Sequence, residues 1–366
     1  MAKIAVFFMF IPLFFLSGCS VNNIIIMQSP IGKGINIGGA LEAPEEGTWD
    51  VVIEDWFFDV IADKGFESVR IPIRWSAHTP SNPPYLIDEA FLNRVENVVN
   101  QALERNLKVI INVHHFEELM ADPDGQAEKF YSIWEQITEH FKDYPDTLFF
   151  ELLNEPEDKL NPEKWNNIQL ETIEKIRSIT KDRWIIITGA PDGLSKALYS
   201  IQLPVNTDHI IATFHFYEPY LFTHQGAPWI EPEFQTVGIQ WPGPPTNPII
   251  PVQAAQEIPE FALWFEHYNE LPYIFNPAGP KPIIDDLKKA RNWSWQTGIP
   301  ILMGEFGTYN IINETSRINW TQFVFQKAQE YDISWMLWDF ASTFQVYDLE
   351  SGEWNEAIIG GLLGTD

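Results

Sequence analysis

From residue 31 onward, short apolar runs alternate with longer stretches whose apolar positions recur every three or four residues. The runs begin near Gly34, Ser68, Lys108, Thr147, Trp184, Ile210, Pro300 and Ser334. Most are unbroken rather than alternating, the pattern of strands covered on both faces. The stretches between them read as helices. Residues 87–105 set Phe91, Val95, Val98, Val99 and Leu103 on one stripe, and residues 162–179 begin with Pro162 behind Asn161, a suitable N-cap. Eight repeats of strand and helix predict an α/β fold, a closed parallel (β/α)8 TIM barrel forming one domain over residues 31–366. An open doubly wound sheet would carry a glycine-rich phosphate loop after its first strand. Gly38-Gly39 is not such a loop, because Glu42 and Pro44 follow where a helix should start.

The interval between the sixth and seventh runs is more than twice as long as any other. It holds an insertion, about 238–282, rich in proline and aromatic residues and too short to bury a core of its own. Following a strand's C-terminal end, it belongs on the face where such barrels do their chemistry. Its Trp241, Trp264, Phe265 and Tyr273 leave two readings open: a wall at one end of a cleft, or a cap packed on the barrel rim.

Composition narrows the partners. A net charge of −28 over 366 residues excludes nucleic acid, which needs clustered Lys and Arg, and leaves a neutral polymer untouched. A monomer is expected. Residues 1–18 read as an export signal: Lys3, then an apolar run over 4–16, too short to span a bilayer. The run closes in Leu16-Ser17-Gly18-Cys19, which resembles the lipobox of bacterial lipoproteins. Cys19 is the only cysteine. The resemblance implies cleavage before it, lipidation on it, a tether over 19–30, and an exported protein anchored to a bacterial membrane in the periplasm or at the cell surface.

Polar residues gather where the apolar runs end: Arg70, His114 and His115, Asn154 and Glu155, His215 and Tyr217, and Glu305, with Trp338 ending the last. Charged groups at the mouth of an apolar core are costly unless paired and used. Ser68-Val69-Arg70-Ile71-Pro72, Asn112-Val113-His114-His115, Leu153-Asn154-Glu155-Pro156, His215-Phe216-Tyr217 and Gly304-Glu305-Phe306-Gly307 together resemble the ordered motifs of glycoside hydrolase family 5. The opening Gly34-Ile35-Asn36-Ile37-Gly38-Gly39-Ala40-Leu41-Glu42 and the loop Thr223-His224-Gln225-Gly226-Ala227-Pro228-Trp229 look like one bacterial branch, known for endoglucanases that often also cut mannan.

Cutting a glycosidic bond requires a proton for the leaving oxygen and a carboxylate for the oxocarbenium-like carbon. The resemblance implies Glu155 as acid/base and Glu305 as nucleophile of a retaining endo-β-1,4-glucanase that needs no cofactor, with Arg70 favouring charged Glu305. It further implies Asn154 on the sugar 2-hydroxyl, Tyr217 holding Glu305, His215 orienting Glu155, and His114 and His115 at the subsite before the cut. Trp338 is implied as a stacking platform, with Glu42, His224 and Trp229 as outer sugar contacts. The branch usually has Asn where this chain has Gly39. A mannanase, xyloglucanase or mixed-linkage glucanase is the alternative within the family. A non-catalytic glycan-binding lipoprotein is the alternative outside it, against which the two carboxylates with Arg70 and Tyr217 argue. His114-His115 suggests a metal, but neighbours on a strand point to opposite faces and no third ligand has suitable spacing, so none is expected. Glu151 sits deeper in its strand and reads as a structural partner; Trp335 reads as core.

Overall fold

The computed structural model describes residues 28–364. Eight strands close a barrel in chain order: β1 (Lys33–Asn36), β2 (Ser68–Ile71), β3 (Lys108–Asn112), β4 (Leu148–Glu151), β5 (Ile185–Thr188), β6 (Ile210–Phe216), β7 (Ile301–Phe306) and β8 (Ser334–Leu337). Every neighbouring pair is parallel, including β8 with β1. Each strand begins within one residue of its expected run. The expected signal over 1–18, Cys19 and the tether up to residue 27 lie outside the described residues. Among the described residues no helix is long and apolar enough to cross a membrane.

Helix Glu89–Glu104 starts where Asp88 accepts from the Phe91 amide, and it buries Phe91, Val95, Val98 and Val99. Helix Pro162–Ile179 starts where the Asn161 side chain accepts from the Lys164 amide. These caps satisfy amides that the first turn leaves open.

The barrel interior is layered by the two-residue strand period. Ile110, Phe149, Ile186, Ile211, Leu302 and Met336, one from each of six strands, form an apolar plug with Ile31. Two residues further along the strands the same face turns polar: Asn36, Arg70, Asn112, Glu151, Thr188 and Thr213, all buried. The plug therefore forms the floor beneath the polar mouth. The larger apolar cluster lies between strands and helices and includes Trp335, 3% exposed.

In the insertion, Trp241 is buried, packs its ring 5.3 Å from Phe323 on helix Glu314–Glu330, and donates its amide to Ser316 Oγ. Phe265 and Tyr268 are buried, and Trp264 stacks on Tyr268. Of the four aromatics singled out, Tyr273 is exposed at 45%. These are the contacts of a cap on the rim. The insertion reaches the site side through rings, where Phe261 meets Phe234, Phe234 meets Tyr220 and Tyr220 stacks on His224, and through Gln225, whose side chain donates to the Ile239 carbonyl and accepts the Ile239 amide, both at 2.9 Å.

Candidate active site

Arg70, fully buried on β2, organises the mouth. Its Nε and Nη2 grip Glu151 in a bidentate pair at 2.5 and 3.0 Å. Nη1 donates to Asn36 Oδ1 at 2.9 Å and to Glu305 Oε1 at 2.7 Å, and Nη2 donates to Asn154 Oδ1 at 2.7 Å. All five guanidinium donors are thus used. Burial pulls the Arg70 guanidinium toward losing its proton, but Glu151 and Glu305 outweigh this and hold it above its ordinary value. A buried cation serving two carboxylates stays charged and fixes both.

Glu305, 4% exposed, receives its second donor from Tyr217, whose hydroxyl lies 2.7 Å from Oε2. Burial and then the charge of Glu305 push the Tyr217 phenol well above its usual range, so it remains a donor. Gly304, just before Glu305, has a steric reason to be glycine: a Cβ there would stand 2.5 Å from Thr213 Oγ1 and 3.4 Å from His215 Nε2. The β6–β7 register shifts at Phe214/His215, which sets His215 opposite Glu305.

Glu155 lies just beyond β4 and is far more open, its side chain 38% exposed. Its Oε1 pairs with His215 Nδ1 at 2.5 Å, and the same nitrogen is 3.5 Å from Glu305 Oε2. Burial would lower the His215 imidazole, but the charges of Glu305 and Glu155 reverse this and raise it. Ligand atoms of Glu155, His215 and Glu305 all lie within 4.8 Å of one another. These three could hold a cation by distance. However, both Glu305 oxygens already have donors, and the Arg70 guanidinium occupies one flank.

His114 is 6% exposed and lies parallel to Trp338, ring centroids 5.7 Å apart at 2°. Its Nδ1 faces the Asn112 amide nitrogen at 3.1 Å, which leaves the ring proton on Nε2. Burial drives its imidazole well below the usual range, with His115, Arg70 and His215 adding to this, so it is neutral. His115 is half-buried and edge-on to both His114 and Trp49. His224 is 7% exposed, stacked on Tyr220, edge-on to Tyr217, and lowered by burial to about 3. Trp229 is 52% exposed at the rim, against Tyr309 and Phe344.

Glu42 departs from expectation. It was expected to meet sugar, but it is 2% exposed, and its two oxygens accept the amides of Gly39 and Ala40. The carboxyl closes its own turn instead of facing the cleft, and burial pushes it up to about 7.

Three functional neighbours escaped sequence reasoning. Asn36 holds Arg70 while donating to the Gly304 and Leu337 carbonyls. It hid inside an apolar run, although its position two residues past Gly34 on the inner face marks it. Asp339, fully buried behind Trp338, bonds Ser342 and is pushed to about 7 by burial. Asn112 ends an apolar run two residues before His114, and its amide orients the His114 ring.

Comparison with known proteins agrees with this geometry. Residues 45–343 match the family model for cellulase, glycosyl hydrolase family 5. Endoglucanase H of Acetivibrio thermocellus is 33% identical over 313 residues, which are 86% of this chain and 30% of that protein. The cellulase/esterase CelE of the same organism is 29% identical, and 36% of it is covered. The chain thus spans about a third of the length of these curated relatives. Endoglucanase 1 of Ruminococcus albus is 30% identical, and 71% of its length is covered. Among solved structures, endoglucanase Cel5A of Thermotoga maritima superposes with a TM-score of 0.79 at 42% identity, covering 91% of this chain and 97% of that one. The chain belongs to glycosyl hydrolase family 5, the cellulase family.

Proposed function

We propose that this protein is an endo-acting β-1,4-glucanase that retains anomeric configuration, with Glu305 as nucleophile and Glu155 as acid/base. One observation carries the reading: two carboxyls approach to within 4.8 Å, one with both oxygens fixed by Arg70 and Tyr217, the other half-open and held by His215. Retaining glycosidases hold their carboxyls about 5–5.5 Å apart, and inverting ones about 6.5–9.5 Å apart to admit a water. The short separation favours attack by Glu305 itself.

In the first step a Glu305 oxygen bonds to the anomeric carbon as the glycosidic C–O bond breaks, and the Glu155 proton moves to the leaving oxygen. In the second, Glu155 takes a proton from water, the water oxygen bonds to the anomeric carbon, and Glu305 leaves as carboxylate. Asn154, held by Arg70, presents its amide to the sugar 2-hydroxyl, a contact that strengthens toward the transition state. Neutral His114 offers an Nε2 donor beside the Trp338 platform, where His115 stands as a further sugar contact. Trp229 is positioned for an outer sugar. His224, expected as an outer sugar contact, is instead 7% exposed between Tyr217 and Tyr220 and supports Tyr217.

The relatives named endoglucanase support glucan as substrate. Cel5A of Thermotoga maritima has been solved with cellobiose and with mannotriose, which supports mannan or glucomannan as a second substrate here. Reducing-sugar release from carboxymethylcellulose, barley glucan, glucomannan, galactomannan and xyloglucan tests the substrate. NMR of the first-formed anomer tests the mechanism: β retains the reading, and α-anomer first makes the enzyme inverting and removes Glu305 as nucleophile. No turnover of any polymer would leave the glycan-binding alternative. The Leu16-Ser17-Gly18-Cys19 motif supports a lipid anchor at Cys19; mass spectrometry of the exported protein showing a free thiol there would remove that part.

A further inference from the structure

We propose that Thr213 is a positioning residue for the acid/base: through one buried water it holds the far nitrogen of His215, and with it the ring that grips Glu155. This rests on the reading of Glu155 given above and extends it to the layer beneath the mouth.

The inner face of β6 carries Ile211, Thr213 and His215 in succession. Ile211 belongs to the apolar plug and His215 to the mouth, so Thr213 lies between floor and site. Its hydroxyl oxygen is buried and has no hydrogen-bond partner among the described residues, and the same holds for His215 Nε2. Thr188, the β5 residue in register with Thr213, has a third such atom, Oγ1. Buried polar atoms are nearly always bonded, so three of them at the base of one site call for a common partner. Glycine at 304 gives that partner its place. A Cβ there would stand 2.5 Å from Thr213 Oγ1 and 3.4 Å from His215 Nε2, so both atoms border the space that any other residue would fill. A water beside Gly304 reaches the hydroxyl and the ring nitrogen, which do not bond directly, and Thr188 can supply the third contact usual for a buried water.

The other ring nitrogen gives this bridge its use. Nδ1 lies 2.5 Å from Glu155 Oε1 and 3.5 Å from Glu305 Oε2. Charge passes between these carboxyls during a double displacement. Glu305 is negative before attack; Glu155 is negative once its proton has left and Glu305 is esterified. The Nδ1 proton must serve whichever carboxyl is charged, so the ring has to keep one orientation. A ring bonded only at Nδ1 can pivot, and one bonded at both nitrogens cannot. The water also accepts the Nε2 proton when the imidazole is charged. Burial opposes that charged state, Glu305 and Glu155 favour it, and Arg70 opposes it. Of the other titratable neighbours, His114 feels the His215 charge, and Tyr217 reaches it through Glu305.

The test is the leaving group. Thr213→Val removes the hydroxyl at nearly constant shape, and Thr213→Ser keeps it. Both would be compared with the parent for kcat/KM on cellotetraose, whose leaving oxygen needs the Glu155 proton, and on dinitrophenyl β-cellobioside, whose leaving group does not. Thr213→Val should lower the cellotetraose value about three- to tenfold and leave the aryl value within about twofold. It should also move the basic limb of the cellotetraose pH profile down by about half to one unit, because the Glu155–His215 pair loses an acceptor for its proton. Thr213→Ser should restore most of both. Heteronuclear NMR of the imidazole nitrogens, assigned with His215→Gln, should show the His215 Nε2 resonance moved in Thr213→Val and parent-like in Thr213→Ser. Equal losses on the two substrates with an unmoved limb would make Thr213 structural. Parent-like rates, limb and resonance in Thr213→Val would remove the bridge while leaving the glucanase reading intact. If the parent cut no glycan, that reading would fall, and the NMR shift alone would decide whether the bridge to His215 exists.

Discussion

The two flanks of the site are built to opposite specifications. Around Glu305 everything is fixed: 4% exposure, two donors from different strands, and a buried cation shared with Glu151. Around Glu155 the side chain is 38% exposed and rests on a single imidazole. A group that must form and break a bond to carbon gains from a fixed approach. A group that must exchange a proton with leaving oxygen and then with water needs access to solvent. The residues are chemically identical, so the difference in anchoring and exposure is what supports the proposed division of roles.

The contrast can be broken from either side. Glu305→Ala should lower kcat on polymer by about 10⁴-fold or more, because no other carboxylate reaches the carbon; retention of a tenth of the activity would reverse the assignment. Glu155→Ala should cost about 10²–10⁴-fold on polymer. It should spare the first step on aryl glycosides with a good leaving group, and azide should rescue the second step as the β-glycosyl azide. If azide instead rescued the Glu305 variant with retention, the two flanks would have been exchanged. Arg70→Met leaves Glu151 and Glu305 buried without their cation, and urea unfolding should show a loss of roughly 3–5 kcal/mol; the same change at half-buried Arg74, whose partner Glu117 is exposed, should cost under about 1 kcal/mol.

Asp339 gives the smallest effect and a sign. Burial raises its carboxyl from 3.8 to about 7, and the Glu305 charge adds to the shift. The folded state therefore keeps a proton that the unfolded chain loses near 4. The associated stability is full below about 4 and is lost as pH rises through about 7. Asp339→Asn should flatten that fall in thermal stability between pH 5 and 8; an unchanged slope would place its origin elsewhere.

Much of this was legible before any coordinates. The strands could be read because both faces of a barrel strand are covered, so hydrophobicity runs unbroken. That Glu155 and Glu305 meet at one mouth could be read because both end apolar runs, and the C-terminal ends of barrel strands share one face. Glu151 was also readable, since its depth in the strand separates it from Glu155. Direction was not legible. Glu42 sits in a loop, where no period says which way a carboxylate turns, and here it turns onto its own backbone. Asn36 was hidden by apolar neighbours pointing to the opposite face. The insertion's burial was hidden because Trp241 meets a helix some eighty residues later in the chain.

Gly39 and Ser342 form one unit of change. Gly39 has φ +81°, which Asn tolerates better than most residues. Yet a Cβ there would stand 2.8 Å from the Ser342 Cβ and 3.2 Å from Val51. A chain with Asn at position 39 cannot drift to this one, or back, through either substitution order with equal ease. From this side Ser342 must shrink or withdraw before Asn can enter, and the intermediate with Gly at both positions is the sterically open path. The two positions should therefore covary among relatives, and a library that randomises position 39 alone would score Asn as unfit for reasons unrelated to sugar.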